Sequence, residues 1–199
     1  MVGLRERKKQ QTRQDIFDAS QRLFARHGFD AVTVAQIAEA ANVSAMTVFN
    51  YFPTKEDLFF GGMQFFEEQL VEAVRDRPRG ESALKAFQRR VLQGAENLES
   101  RARAEAILRA SRMVESSPAL QARERQIVDR YTRALAELLA GAPEPDVESV
   151  AVAAALMGAH RAVVDRVRQG VEAGVRGDAL ADDARTQIRK AFGRLERGL

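Results

Sequence analysis

The sequence predicts an all-α protein with a small N-terminal helix-turn-helix domain and a larger helical domain after it. Three observations support this. Residues 33–55, TVAQIAEAANVSAMTVFNYFPTK, read as two short helices joined by a three-residue turn. Nowhere do apolar residues alternate over a strand length between turn signals. Residues 1–55 hold eight bases and five acids, so this end carries the whole net charge of +3.

The first two helices are predicted from their apolar spacing and their end signals. Helix one should run from about Gln10 to His27 and end at Gly28, which tolerates a positive φ. Helix two begins after Thr33, because Thr33 and Gln36 have the spacing of a capping box. Ala38 is small enough for close helix crossing.

The third helix is the candidate reading helix. Asn42 lies in the turn before it, where a left-handed backbone is needed. Ser44 is predicted to cap its start, and Pro53 to stop it after Phe52. We expect three of its residues to point inward: Val48, Phe49 and Phe52.

The rest of the chain reads as six more helices, which makes nine. Helix four starts after the cap Thr54 and continues to about Arg75. It contains Gly61-Gly62, which indicates either close packing or a compliant point between domains. Further helices are predicted at about 81–99, 101–115, 118–140, 146–173 and 179–197. We place the domains at 1–56 and 57–199.

The third helix has the side chains expected of a helix that enters the DNA major groove. Asn bonds adenine edges, Thr and Met contact thymine methyls, and Tyr bonds phosphate. The alternative is that Thr33 and Ser44 act only as caps and that Tyr51 only packs. The charge of the basic N-terminal arm fits two interpretations equally well: binding to a polyanion, or a solvated chain terminus that binds nothing. The candidate DNA contacts are Thr33, Ser44, Ala45, Met46, Thr47, Asn50, Tyr51 and Lys55, with Lys8, Lys9 and Arg13 from the arm.

Residues 12–59 resemble the N-terminal domain of the tetracycline-repressor-like (TetR) transcriptional regulators. The matching segments are RLFARHGFDAVTVAQIAEAANVS and, directly after a two-residue interval, TVFNYFPTKEDLF. The resemblance implies that Ser44, Met46 and Asn50 help read bases. It also implies a divergent C-terminal domain that binds a ligand and dimerises. By the same resemblance the phosphate contacts are Thr33, Thr47, Tyr51 and Lys55.

Two positions depart from the family pattern. Phe49 stands where a Tyr is usual, so that hydroxyl contact to phosphate is lost. Ala45 stands where Gly is common, which leaves a methyl that can meet a base or the backbone.

The C-terminal domain is expected to dimerise, because one helix-turn-helix buries too little surface for tight binding and such modules pair on palindromic sites. Residues 147–167 are rich in small residues that permit close packing. The last segment adds Ile188, Phe192 and Leu195 on one face. A four-helix interface from these two segments is what the resemblance also implies, and an intrachain core is the alternative.

The effector is expected to be small and largely apolar, and the resemblance implies an acyl-CoA-like molecule. Arg109, Arg112 and Arg161 are bases that can meet an anionic group. Apolar side chains at helical spacing and a lone His are also what an ordinary core contains. The candidate ligand contacts are Phe66, Leu70, Phe87, Leu108, Met113, Tyr131, Met157 and His160.

Other classes of function lack the residues they need. The chain has no Cys, which excludes disulfides and thiol chemistry, and it shows no metal-ligand spacing, His pair or Gly-rich phosphate loop. We therefore expect no enzyme, catalytic residue, metal or cofactor.

The N-terminus lacks a signal-like apolar segment, and the run 150–157 is too short to cross a bilayer, so we expect a cytoplasmic protein without a membrane partner. The alternatives are a helical enzyme and a membrane-surface protein, for which the arm lacks an apolar face.

Overall fold

The computed structural model describes residues 3–198, apart from the side chain of Leu4. Met1, Val2 and Leu199, which lie at the ends of the predicted domains, are outside the described residues. The described chain forms ten α-helices and one 3₁₀ turn at Asn97–Glu99. The helices are α1 (Leu4–His27), α2 (Val34–Ala40), α3 (Ala45–Tyr51), α4 (Lys55–Phe59), α5 (Gly61–Arg75), α6 (Ala83–Glu96), α7 (Arg101–Ser116), α8 (Pro118–Ala140), α9 (Val147–Glu172) and α10 (Asp178–Glu196).

The all-α prediction is confirmed, with two differences in the helices. The predicted fourth helix is two helices, α4 and α5, because the chain leaves helical geometry at Phe60. A Cβ on Gly61 would lie 2.8 Å from the Phe17 ring, so this glycine permits close packing against α1. Helix α1 starts at Leu4, earlier than expected, so the basic arm is part of the helix.

The chain forms two compact units. The first contains residues up to 64 together with 113–124, and the second contains 65–112 together with 125 onwards. The predicted division at residue 56 thus falls inside the first unit. Helices α5, α7 and α8 each contribute residues to both units.

The predicted caps of the first unit are present. Thr33 and Gln36 form a reciprocal capping box at α2, and Ser44 accepts the backbone N–H of Thr47 at α3. Asn42 has φ 53°, which fits the left-handed turn between them. Local side-chain chemistry therefore sets where α3 begins.

The carboxylate of Asp57 joins three helices of the first unit. It accepts from the Thr54 backbone N–H at 3.2 Å and hydroxyl at 2.9 Å, which caps α4. It also accepts from Gln64 Nε2 at 2.9 Å on α5, and from Arg123 on α8 at 2.6 Å and 3.1 Å. Burial acts to raise the pKa of Asp57. The hydrogen bonds from Arg123, Thr54 and Gln64, with the Arg123 charge, outweigh this and lower that pKa below its usual value.

Helices α6, α9 and α10 build much of the core of the second unit. Ile188 and Phe192 of α10 are 1% and 0% exposed, and the Phe192 ring lies 5.8 Å from that of Phe87. Leu195 is half-buried against the same core. Ile188 and Phe192 are therefore covered by their own chain and do not belong to an exposed dimer face, whereas a dimer interface through the last two helices stays a prediction.

Helix α9 is long and apolar enough to cross a bilayer by length and composition alone, which differs from the sequence expectation. The difference arises because the short run 150–157 is extended by alanines, glycines and valines along the same helix. One such helix is weak evidence of a membrane span, since core helices of soluble proteins pass the same test.

We predict that Asp57→Asn lowers the free energy of unfolding by about 2 kcal/mol at pH 7, because Arg123 loses its charged acceptor. The folded pKa is depressed, so the contribution of Asp57 is present above the ordinary Asp pKa of about 3.9 and disappears as the pH falls through the folded value. Urea unfolding of both proteins at stepwise lower pH measures this. The exposed Asp18→Asn is the control, and a difference that stays constant below about pH 4 contradicts the prediction.

Candidate nucleic-acid interface

Helix α3 presents one exposed stripe of four side chains. Ala45, Met46, Phe49 and Asn50 share one side of the helix, since residues three and four apart are neighbours on its surface. Met46 is 69% exposed and Phe49 is 46% exposed. Ala45 and Asn50 are exposed as well, whereas Val48 is buried on the opposite side. The stripe combines an amide that fits adenine with apolar groups that fit thymine methyls.

The prediction that Phe49 points inward is wrong. Val48 and Phe52, four residues apart, occupy the inward side and are 0% and 2% exposed. Phe49 is rotated by about 100° from Val48, which brings it beside Met46. The three-residue spacing from Met46 was the sequence signal for this. Phe49 is therefore a candidate DNA contact that sequence reasoning missed.

Two predicted contacts, Thr33 and Ser44, are helix caps in the structure, and a third, Thr47, is hydrogen-bonded to one of them. The Thr33 hydroxyl donates to Gln36 Oε1 at 3.1 Å and accepts from the Gln36 backbone N–H at 3.3 Å. The hydroxyls of Ser44 and Thr47 lie 2.8 Å apart and share a hydrogen bond. Their DNA contacts stay predictions, because these geometries serve the helices with or without DNA.

The start of α1 and the end of α3 line one open groove of about 750 Å³. Tyr51 is half-buried there, with basic side chains beside it. Arg13, the third predicted base of the arm, lies over the Phe52 ring at 4.9 Å. The structure thus brings the arm and Tyr51 together at a site suited to phosphate. The lining residues are Gly3, Arg5, Glu6, Lys8, Lys9, Thr12 and Tyr51.

Lys55 has a structural role that the sequence did not reveal. Its Nζ donates to the carbonyl oxygens of Phe29 at 3.0 Å and Val32 at 3.2 Å. The same ammonium group lies 4.1 Å from the centroid of the Phe29 ring. Two of its three N–H donors are thus used within the first unit, and a phosphate contact through the third stays a prediction.

The predicted effector residues divide by burial and by unit. Leu70, Phe87, Met157 and His160 are buried in the second unit. Phe66, Leu108 and Tyr131 are half-buried there, against the same core. Met113 belongs to the first unit, so the structure does not group it with the others.

These features define a helix-turn-helix DNA-binding regulator, and comparison with known proteins gives its family. Residues 16–61 match the model of the bacterial regulatory proteins of the tetR family. Residues 81–198 match the model of the MftR C-terminal domain, which covers more than half of the chain. The chain belongs to the TetR family of transcriptional regulators, with a C-terminal domain of the MftR kind. The family's members are regulators and not enzymes.

Individual relatives agree with this assignment. The chain is 36% identical over 85 residues to the HTH-type transcriptional regulator TcmR of Streptomyces glaucescens, over 43% of this chain and 38% of TcmR. It is 26% identical over 132 residues to the putative mycofactocin biosynthesis transcriptional regulator MftR of Mycobacterium tuberculosis, over 63% of this chain and 66% of that protein. The match to TcmR thus spans less than half of that relative.

A solved structure shows the same fold. NalD, the secondary repressor of the MexAB-OprM multidrug efflux pump in Pseudomonas aeruginosa, matches with a TM-score of 0.58. The identity is 22%, and the match covers 94% of this chain and 96% of NalD. At this identity the likeness concerns the fold alone.

We predict that Lys55→Met lowers the free energy of unfolding by about 1–2 kcal/mol, because two carbonyl oxygens lose their donor. Chemical denaturation of the isolated protein measures this without DNA. Lys9→Met is the matched control, since Lys9 is exposed and such changes stay within about 0.5 kcal/mol. Equal stability of the two variants contradicts a structural role for Lys55.

Proposed function

We propose that this chain is a ligand-responsive transcriptional repressor that binds a palindromic operator as a homodimer through α3. The exposed stripe of Ala45, Met46, Phe49 and Asn50 carries this proposal. An exposed Met and Phe on a short polar-capped helix have no use in the chain's own core. They suit a major groove that offers thymine methyl groups.

The contacts divide into two kinds. Asn50 is proposed to bond an adenine edge, while Met46, Ala45 and Phe49 contact methyl groups beside it, with Ser44 at the start of the helix. Phosphates are held by the groove between α1 and Tyr51, because Lys8 and Lys9 add charge there. Thr33, Thr47, Lys55 and Arg13 are proposed to complete the phosphate contacts.

The homodimer is proposed to form mainly through α9. Val147 is 87% exposed, and Ala151, Ala154, Gly158 and Ala162 continue its exposed face at helical spacing. Only 28% of the most apolar stretch of this helix is buried within the chain. A Cβ on Gly158 meets nothing within 4 Å in the described part of the chain, so its small size is not required by the monomer. A face of small residues supports close packing against a second helix.

The second unit is proposed to bind the effector, which on binding moves the two reading helices and releases DNA. Their separation must match a duplex turn of about 34–36 Å or its multiple, so a small displacement suffices. Phe66, Leu108 and Tyr131 support an apolar site, because they are half-buried at the margin of the core. The family resemblance taken alone favours an acyl-CoA-like molecule as the effector class, whereas the residues of this unit decide which head group fits. A regulator of this family acts on DNA in the cytoplasm.

We predict that the wild-type protein retards DNA from upstream of its own gene in an electrophoretic mobility experiment. Asn50→Ala should weaken this binding by roughly 10- to 100-fold, the cost of one good base contact of about 1–3 kcal/mol. Binding to unrelated DNA should not change, because that binding depends on phosphate contacts.

The control is Gln93→Ala, which also removes an exposed helical amide but lies in the second unit. It should bind the operator as the wild type does. The proposal is contradicted if the wild-type protein does not retard the DNA at moderate salt, or if Asn50→Ala binds the operator as tightly as the wild type.

We predict that Ala154→Glu converts the dimer to a monomer, because a charge buried without a partner in a close helix interface is costly. The fold should persist, since Ala154 is exposed in the monomer and Glu suits a helix. Ala102→Glu, an exposed alanine on α7, is the matched control and should stay dimeric. Light scattering coupled to gel filtration measures the mass, and a dimeric Ala154→Glu protein rejects this interface.

A further inference from the structure

The second unit contains a buried pair of polar side chains from two helices. Glu67 on α5 is 1% exposed and His160 on α9 is 5% exposed. Glu67 Oε1 lies 3.4 Å from His160 Nε2. The other two polar atoms, Glu67 Oε2 and His160 Nδ1, have no hydrogen-bond partner among residues 3–198. A buried polar atom without a partner costs about 1–3 kcal/mol, and more when it is charged.

Aromatic side chains surround this pair. The Phe66 ring stacks on the His160 ring with centroids 5.6 Å apart, and Phe87 meets His160 edge-on at 6.4 Å. A Cβ on Gly94 would lie 2.7 Å from Phe66, so the glycine makes room for this ring. The Arg90 guanidinium lies 4.4 Å from the centroid of Phe66. Apolar walls around a few polar atoms are typical of a small-molecule site.

Tyr131 is half-buried against the core of the same unit. Burial raises the pKa of the Tyr131 phenol, the Arg130 charge opposes the rise, and the charges of Glu68 and Glu67 add to it. Tyr131 therefore keeps its proton at neutral pH. Phe66 stacks on His160 and is itself half-buried, so the apolar surround of the pair reaches the surface of the unit at this ring.

We propose that Glu67 and His160 form the polar end of the effector site, and that the effector is an apolar molecule whose head group donates hydrogen bonds, an amine or an alcohol. This inference rests on the proposed function, in which the second unit binds the effector. A carboxylate oxygen only accepts, so the head group must donate to Oε2. A hydroxyl can also bond Nδ1 whether that nitrogen donates or accepts, whereas a second amine N–H can bond it only when the nitrogen accepts.

The same chemistry opposes an anionic or purely apolar end. A carboxylate or phosphate would bring a second negative charge against Glu67 at short range, which is unfavourable in a buried site. A fatty acyl tail would leave Oε2 and Nδ1 unsatisfied. The site thus selects against an acyl-CoA-like ligand at its buried end.

Four probes with one skeleton test the head group: phenethylamine, 2-phenylethanol, phenylacetate and ethylbenzene. The readout is the nitrogen NMR spectrum of the imidazoles in the full chain. The chain has two histidines, and the exposed His27 in the first unit is the internal reference. We expect phenethylamine, 2-phenylethanol or both to shift the His160 nitrogens and leave His27 unchanged. We expect phenylacetate and ethylbenzene to bind at least about tenfold more weakly.

Glu67→Gln is the variant that isolates the carboxylate. It should weaken phenethylamine binding by roughly tenfold or more, the value of one hydrogen bond to a charged group. Glu68→Gln is the matched control, because Glu68 is the exposed neighbour on the same helix and should bind as the wild type does. The wild-type spectra test the proposal independently if Glu67→Gln does not fold.

Equal binding of phenylacetate and phenethylamine, equal shifts at both histidines, no shift with any probe, or unchanged binding by Glu67→Gln each overturns the proposal. Octanoyl-CoA that shifts His160 more than the amine and the alcohol also overturns it. Operator retardation is measured separately without probe. Retardation without probe binding rejects this site and leaves the repressor proposal standing. Probe binding without retardation supports this site and rejects the repressor proposal.

Discussion

The carboxylate of Asp57 is the interaction on which the first unit depends most. It caps α4 through Thr54, fixes the start of α5 through Gln64, and holds α8 through Arg123. Because Pro53 and Thr54 directly follow Phe52, the C-cap of α3, this carboxylate also fixes the conformation of the chain between α3 and α4. Its loss would leave a guanidinium and several donors without their acceptor, which costs more than one ordinary hydrogen bond.

Local chemistry made the helix-turn-helix predictable from sequence. The boxes at Thr33 and Thr54, the cap Ser44 and the left-handed Asn42 involve residues at most three apart, so no knowledge of the fold was needed. The break between α4 and α5 was not predictable in the same way. It coincides with the packing of Gly61 on Phe17, a contact between residues 44 positions apart in the chain.

Contacts between residues far apart in the chain were the hardest to predict from the sequence. An apolar stripe on α10 is formed by Ile188, Phe192 and Leu195. Such a stripe predicts a buried face, but it does not show whether the same chain or a second copy buries that face. The structure covers it with residues such as Phe87. Glu67 lies at helical spacing from Leu70, Val71 and Val74, which are all buried, so its position in the helix indicated that it would be buried as well. The burial of Glu67 was nevertheless not predicted, because a charged glutamate is rarely buried without a partner.

The second unit therefore shows two different reasons for needing a partner outside the chain. Helix α9 exposes small and apolar side chains, and the hydrophobic effect favours covering such a face with any surface that fits it. Glu67 and His160 present the opposite case, because their unsatisfied atoms in the described chain lie in the interior. Apolar residues of similar volume would cost less there. A core selected only for stability would have replaced them, so the pair is better explained by a polar group that it binds than by the folding of the second unit.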